Sequence, residues 1–245
     1  MNRHLTPGCK TAILINGIPA SGKSTITRLL AETFSLPVLT IDGIKEPFMA
    51  RLAPVDRPMN RQLGCAAYEV IWSIVGASPA SMVWLIDAWF GFQPRETLQR
   101  LLQQAGVEQV IEVWNHISPE LAVARYASRL ATRPPGHPGE EYLPELAQLA
   151  GRAQPMSLGP VLTIDQRHPL QIEPVIQWLE GTIAGQHSGF TDYAYSSWGI
   201  PARRSSAVTT AAAIITPISG TLRQARNTAK ATPRTRAIPA KCAPS

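Results

Sequence analysis

The chain has 245 residues, 44% hydrophobic and 16% charged, which is enough for one α/β domain with a sizeable core. Its formal net charge of +6 points first to an anionic partner such as nucleic acid, but of 23 basic and 17 acidic residues eight and one lie beyond residue 185, leaving 15 and 16 in the body. A near-neutral body excludes nucleic acid as its expected partner and confines any such contact to the basic end segment.

Residues 1–10 hold no apolar run of signal-peptide length. Thr11-Ala12-Ile13-Leu14-Ile15-Asn16 reads as a short, fully buried strand. Directly after it comes Gly17-Ile18-Pro19-Ala20-Ser21-Gly22-Lys23-Ser24-Thr25, of the form G-x-x-x-x-G-K-[ST], and then Ile26, Leu29, Leu30, Thr33 and Phe34 at helical spacing. A strand before the pattern and a helix after it turn the match into a mechanism. Backbone N–H groups of Gly17 to Thr25 wrap a triphosphate, the helix N-terminus adds its positive end, Lys23 reaches the β- and γ-phosphates, and Ser24 Oγ binds Mg²⁺. Glycine is required at Gly17 and Gly22, where the chain turns tightly and approaches oxygen atoms closely. The alternatives are a plain glycine-containing turn and a dinucleotide fold; the latter is disfavoured because its fingerprint is G-x-G-x-x-G.

A second strand is expected over Pro37 to Asp42, ending in a carboxylate at the Gly43 turn. Helices follow over Ile44 to Arg51 and Met59 to Gly76, separated by Pro54 and Pro58, and the second places Leu63, Ala66, Ala67, Val70, Ile71 and Ile74 on one inward face. Met82 to Asp87 is an apolar third strand that again ends in a carboxylate, as a buried parallel strand should. An aromatic loop from Ala88 to Phe92 leads to a helix over Pro94 to Gln104. Val107 to Trp114 is the fourth strand, and Ser118 caps the next helix, with Pro119 at its first position and Glu120 in its first turn. A Pro/Gly loop over 134–139, a helical stretch from Glu140 to Arg152, a fifth strand from Pro160 to Ile164 and a helix from Gln171 to Ile183 complete the domain. From about Gly185 periodicity stops and Ser, Thr, Ala and Pro dominate, so 185–245 is expected to be a disordered basic tail behind a 1–184 domain. The alternation implies a three-layer α/β/α P-loop NTPase fold around a five-stranded parallel sheet.

Three strand-end features carry the chemistry. Asp87 stands where phosphate-loop enzymes place the acid that orients the Mg²⁺ shell, or else it caps the next turn. Asp42 ends the strand that faces the acceptor, so it can hold or deprotonate an attacking hydroxyl, or it serves as a turn or helix-cap residue. Arg125, Arg129 and Arg133 recur every four residues with no carboxylate at helical spacing. They form either a solvated basic face or a set of cations that neutralise charge during phosphoryl transfer, with the Pro/Gly loop as a lid. Trp89, Phe90 and Trp114 lie near the expected pocket, although most aromatic residues should be core. His116 and His137 lack metal-ligand spacing, and Cys9, Cys65 and Cys242 are too scattered for a zinc site or a disulfide framework. No segment is long and apolar enough to span a bilayer, so a soluble cytoplasmic protein is expected.

Taken together, the Gly17 to Thr25 loop, the Thr40-Ile41-Asp42-Gly43 strand end, the Trp114-Asn115-His116 strand end and the arginine segment with its His-Pro-Gly loop resemble the small P-loop kinases of the bacterial AAA-type ATP-binding proteins. Relatives of that group are chloramphenicol phosphotransferase-like, gluconate kinase-like and zeta-toxin-like. The resemblance covers residue 11 to about 184. It implies ATP and Mg²⁺ as cofactors, Asp42 as base toward the acceptor, and Arg125 and Arg129 as lid arginines. The family loop is often G-x-P-G-S-G-K-S-T, so Ala20 replaces an inner glycine. Ring-ATPase sensor motifs and the H-R-D and D-F-G loops of protein kinases are absent. The expected activity is Mg²⁺-dependent transfer of the ATP γ-phosphate to a hydroxyl of a small molecule. The rivals are a nucleotide-switched regulatory or nucleic-acid-associated protein acting through its basic tail, and a nucleotide or polynucleotide kinase on the same fold.

Overall fold

The computed structural model describes residues 3–5, 7–185 and the backbone pair 193–194. Strands β1 (Thr11–Asn16), β2 (Val38–Thr40), β3 (Val83–Ala88), β4 (Gln109–His116) and β5 (Val161–Asp165) form one parallel sheet in the order β2-β3-β1-β4-β5. A two-residue strand, β6 (Tyr193–Ala194), pairs in parallel with β5, so the expected five-stranded sheet gains a short sixth strand from the segment assigned to the tail. The rest of the tail lies outside the described residues.

The sequence sorts itself onto two faces because side chains alternate along β1. Ala12 and Leu14 point to one side, with Tyr68, Ile71 and Trp72 of α3 (Arg57–Ala77) and Leu98 and Leu101 of α4 (Arg95–Gln104). Ile13 and Ile15 point to the other, with Ile26 and Leu30 of α1 (Lys23–Phe34) and Val175 and Leu179 of α7 (Ile172–Ile183). Every residue of β1 is buried, and each large side chain so covered contributes about 1.5–3 kcal/mol. A third cluster joins Ile18 and Ala20 of the phosphate loop to Ala122 and Tyr126 of α5 (Pro119–Ala127) and Leu146 of α6 (Leu143–Arg152).

Three expectations change. The second strand stops at Thr40, because Thr40 Oγ1 accepts the Gly43 N–H at 2.8 Å and starts α2 (Ile41–Leu52) at once. Asp42 therefore occupies a helical first turn rather than a strand end. In α3 the inward face is Ala67, Tyr68, Ile71, Trp72 and Val75, while Val70 and Ile74 are each 40% exposed and Ala66 faces water. Tyr68 decides the rotation, since it meets Trp72, Phe90 and Phe92 edge-on at 5.2–6.2 Å and brings more apolar surface than Val70. The arginines do not share one helix face. α5 ends at Ala127, and Arg129 precedes a 3-10 turn, Leu130–Thr132, after which Arg133 is extended. Ser128 and Thr132 hydroxyls donate back to the carbonyls of Arg125 and Arg129, and Pro134 disfavours a helical Arg133.

Lys10 shows how the ends of two helices are closed. The residue is 6% exposed, and its ammonium donates to the carbonyls of Val75, Gly76 and Ala105 at 3.0–3.2 Å, which satisfies the C-termini of α3 and α4 with one charge. Lys10→Met keeps the stem and leaves these carbonyls without their donor. Denaturant unfolding should show a loss of about 2–4 kcal/mol; an unchanged midpoint would mean that water replaces the ammonium at no cost.

Candidate active site

The parallel register sets the site. Ile15 lies beside Asp87 and Asn16 beside Ala88 and Trp114, so the chain emerges from β1, β3 and β4 at one edge of the sheet. There the loop Gly17 to Thr25 turns into α1. Gly22 is the N-cap at φ 81°, with no side chain to accept from the first turn, and no acid lies in that turn. The Thr25 N–H turns back to Gly22 O at 3.2 Å, and the N–H groups of Lys23 and Ser24 at the very start of the helix are placed to meet an external anion. Ser21 Oγ is buried without a hydrogen-bond partner among the described residues, a further donor suited to a phosphate oxygen. Ala20 takes φ 70°, the left-handed conformation that favours glycine, at a cost of about 1–2 kcal/mol.

Lys23 Nζ donates to Ile18 O at 3.0 Å, folded along the loop. Burial lowers its pKa, and the fields of Asp87 and Asp42 only partly compensate. Asp87 is 6% exposed and shows the mirror effect: burial raises its pKa against the opposing pull of Lys23 and the Ser24 and Thr27 hydroxyls. Thr27 Oγ1 lies 3.0 Å from Lys23 O and 3.3 Å from Asp87 Oδ2, which adds Thr27 to the group around the carboxylate. Phosphate oxygens would favour the ammonium and Mg²⁺ would favour the carboxylate, so a nucleotide with its metal relieves both penalties. The hard oxygen donors of Ser24 and Asp87 fit Mg²⁺.

Asp42 is the second carboxylate whose field reaches Lys23. Its side chain is 59% exposed and its Oδ1 is 3.1 Å from Lys45 Nζ. Although partly withdrawn from water, the carboxyl is held below its ordinary value by Lys45 and, more weakly, by Lys23.

The arginines divide. Arg125 donates to Gln166 Oε1 at 3.0 Å and to Gln166 O at 3.3 Å, which fixes it to the end of β5. Arg129 keeps an exposed guanidinium whose Nε donates to Arg125 O at 3.1 Å; burial, then Arg133 and Arg125, press its pKa downward. A cavity of about 420 Å³ lies between Ala20, Gly22 and Thr25 on one side and Arg125, Arg129 and Gln166 on the other, a size suited to a nucleoside.

Sequence reasoning missed the polar framework beneath the loop. Glu112 is fully buried and accepts from Asn16 Nδ2 at 2.6 Å, Met156 N at 2.9 Å and Ser157 N at 2.8 Å; burial raises its pKa against these bonds. Asn16 Oδ1 accepts from Gly17 N at 2.7 Å, and Asn115 Nδ2 donates to Asn16 O at 2.9 Å. Asn115 Oδ1 in turn accepts from Gln166 Nε2 at 3.2 Å. An acid inside the apolar β4 run was the available signal. Of the aromatic residues, Phe90 is core, Trp114 is buried, and Trp89 meets Trp114 at 6.1 Å between ring centroids. His116 is exposed, whereas the His137 side chain is only 3% exposed.

A parallel sheet of this order, carrying a phosphate loop, its lysine and a buried acid on the neighbouring strand, has the fold of the small P-loop kinases. No protein-family model and no curated protein sequence matches the chain. Among solved structures, a presumptive kinase from Chloroflexus aurantiacus is similar over 71% of this chain and 97% of its own, with 26% identity and a TM-score of 0.59. A gluconokinase from Sinorhizobium meliloti is similar over 75% of this chain and 95% of its own, with 16% identity and a TM-score of 0.47. A deoxyadenosine kinase from M. mycoides covers 69% of this chain and 98% of its own, with 16% identity and a TM-score of 0.46. The resemblance read from the motifs and the similarity of fold agree. Among the described residues no helix is long and apolar enough to cross a membrane, and Cys9 and Cys65 are free thiols.

Proposed function

We propose that the protein is a cytoplasmic phosphotransferase that moves the γ-phosphate of ATP to a hydroxyl of a small molecule, with Mg²⁺ at Ser24 and Asp87. The observation that carries the reading is the placement of two carboxylates about Lys23: a buried one, Asp87, tied to the Ser24 and Thr27 hydroxyls, and an exposed one, Asp42, free on its outer side to meet an acceptor. Mg²⁺ supplies charge neutralisation and orientation of the phosphates. Lys23 and the first-turn N–H groups hold those oxygens, and Arg129 offers positive charge where negative charge builds up.

Asp42 orients the acceptor hydroxyl for in-line attack. The new bond joins that oxygen to the γ-phosphorus, the bridge to the β-phosphate breaks, ADP leaves, and the hydroxyl proton passes late in the step to Asp42 and on to solvent. Because Lys45 depresses its pKa, Asp42 is a weak base. A loose transition state demands little deprotonation before bond formation, so positioning is the larger part of its role.

A transfer screen with γ-labelled ATP over sugars, polyols, nucleosides and aminoglycoside- or phenicol-type antibiotics tests the reading. Label in a soluble product supports it. Label released only as inorganic phosphate, together with salt-sensitive binding of nucleic acid through the basic tail, supports the nucleotide-switched alternative. With an acceptor in hand, Asp42→Asn should lower kcat by about 10²-fold or more while Mg²⁺-ATP affinity is kept. Asp87→Asn should weaken Mg²⁺-ATP and raise the Mg²⁺ requirement. The opposite pattern would interchange the two roles.

A further inference from the structure

The loop 134–139 is fastened to α2, α3 and α5 by a set of contacts that the transfer chemistry does not use. Asn60 Nδ2 donates to Gly136 O at 2.6 Å, and Tyr126 OH donates to Pro138 O at 2.9 Å. Gly136, at φ 92°, passes so close to Met49 and Val55 that a Cβ would meet them at 2.9 and 3.0 Å. At the centre is His137, with Nδ1 2.9 Å from Arg133 Nη2 and Nε2 2.8 Å from Glu46 Oε1. Arg133 also lies over the Tyr126 ring, 4.5 Å from its centroid.

The chemistry of the partners fixes the proton. A guanidinium has only donors, so Nδ1 must accept, and the single ring proton sits on Nε2 and is donated to Glu46. The same logic removes a metal reading: Asp42, Glu46 and His137 place ligand atoms within 4.8 Å of one another, but Lys45 holds Asp42 and Arg133 holds the free histidine lone pair. Two fixed cations beside the cluster repel a third.

We infer that Glu46 and His137 are positioning residues that latch the loop 134–139 onto α2 beside Asp42, and that the latch holds only while His137 is neutral. Protonation places a proton from solvent on Nδ1, which removes the acceptor for Arg133 and sets an imidazolium against a guanidinium. From α2, Asp42 and Glu46 favour that protonation and Lys45 opposes it; from the loop, Arg133 opposes it; from α3, Asn60 is neutral. Burial, followed by Lys45 and Arg133, prevails and keeps the ring below its ordinary value of 6.5. With a depressed folded pKa, the latch is complete above pH 6.5 and is lost as pH falls through the lower, folded value. Arg133 lies within electrostatic reach of Lys23, so release would also change the field at the phosphate loop. That last consequence rests on the phosphotransferase reading; the latch does not.

Amide hydrogen exchange of the full chain without nucleotide reads the latch at Arg133 and Gly139, whose N–H groups donate to Leu130 O and Glu141 Oε1 at the two ends of the loop. After correction for intrinsic rates, protection at these amides should fall at least about 10-fold from its pH 7.5 level across the pH interval in which the ring nitrogen shifts show His137 taking up its second proton, while β1 stays protected. His137→Gln supplies a carbonyl for Arg133 and an N–H for Glu46 without titrating, so its protection should be the same at both ends of that interval. His137→Ala should be unprotected at both. If an altered chain fails to fold, the ring nitrogen shifts of wild-type His137 still decide, with Nε2–H expected at pH 7.5. Wild-type protection independent of pH, equal pH sensitivity in His137→Gln, or a proton on Nδ1 at pH 7.5 would overturn the latch. Absence of phosphate transfer with an intact latch would overturn only the proposed function.

Discussion

Lys23→Ala should reduce phosphate transfer by about 10³-fold or more while leaving the melting transition within a few degrees of wild type. The ammonium is already desolvated and, among the described residues, makes one hydrogen bond, to Ile18 O, so the folded chain loses about one hydrogen bond, worth about 1 kcal/mol, and is relieved of a buried charge. The bound nucleotide loses the fixed cation between its terminal phosphates, in a site where preorganised charge acts with little screening by water. A second effect has the same sign. Without Lys23 the Asp87 carboxyl loses the strongest influence opposing its burial, so its pKa rises further and it becomes a poorer metal ligand at neutral pH. Isothermal titration with Mg²⁺-ATP and initial-rate assays measure the two losses separately. Equal affinity and equal turnover in variant and wild type would remove the phosphate loop from the mechanism.

Arg129→Ala and Arg125→Ala should fail differently, because one guanidinium is committed and the other is not. Arg125 makes two bonds to Gln166 and walls the cavity beside the loop, so its removal should raise KM for ATP about 10-fold and spare most of kcat. Arg129 spends one N–H on Arg125 O and keeps the rest of its fork exposed within the field of Lys23. Charge supplied to the transition state by such a group is worth about 10³–10⁵ in rate in well-known phosphoryl-transfer systems, so kcat should fall by at least about 10³-fold with ATP affinity kept within a few-fold. An unchanged kcat in Arg129→Ala would return it to the status of a solvated surface charge.

The parts of this molecule that were legible in sequence are those whose causes are local. β1, the phosphate loop, the Ser118 cap and Pro54 between α2 and α3 each depend on a few consecutive residues and stand where they were expected, whereas Pro58, expected between the helices, lies in the first turn of α3, where its missing N–H costs no helical bond. Asp42 was found but misplaced by one element, because the apolar run Val38 to Ile41 hid the capping role of Thr40. The burial of Tyr68 in place of Val70 and the break after Ala127 depended on competition between acceptable options, which spacing alone does not weigh. Glu112 and His137 were missed for a deeper reason: their partners Asn16 and Glu46 lie 96 and 91 residues away, and no window along the chain brings them together.

Ala20 carries one more implication. Its left-handed backbone is an expense met when the chain folds, and its methyl is buried with Ile18, Ile117 and Tyr126 in the cluster shared by α5 and α6. A loop held by apolar packing on one side and by the Asn16 bridge on the other already has the curvature an anion needs. Little chain entropy then remains to be lost on nucleotide binding, so association should be fast and its heat should come from ion contacts, not from ordering the polypeptide. Glycine at the same place would relax the backbone and leave more of that ordering to the ligand.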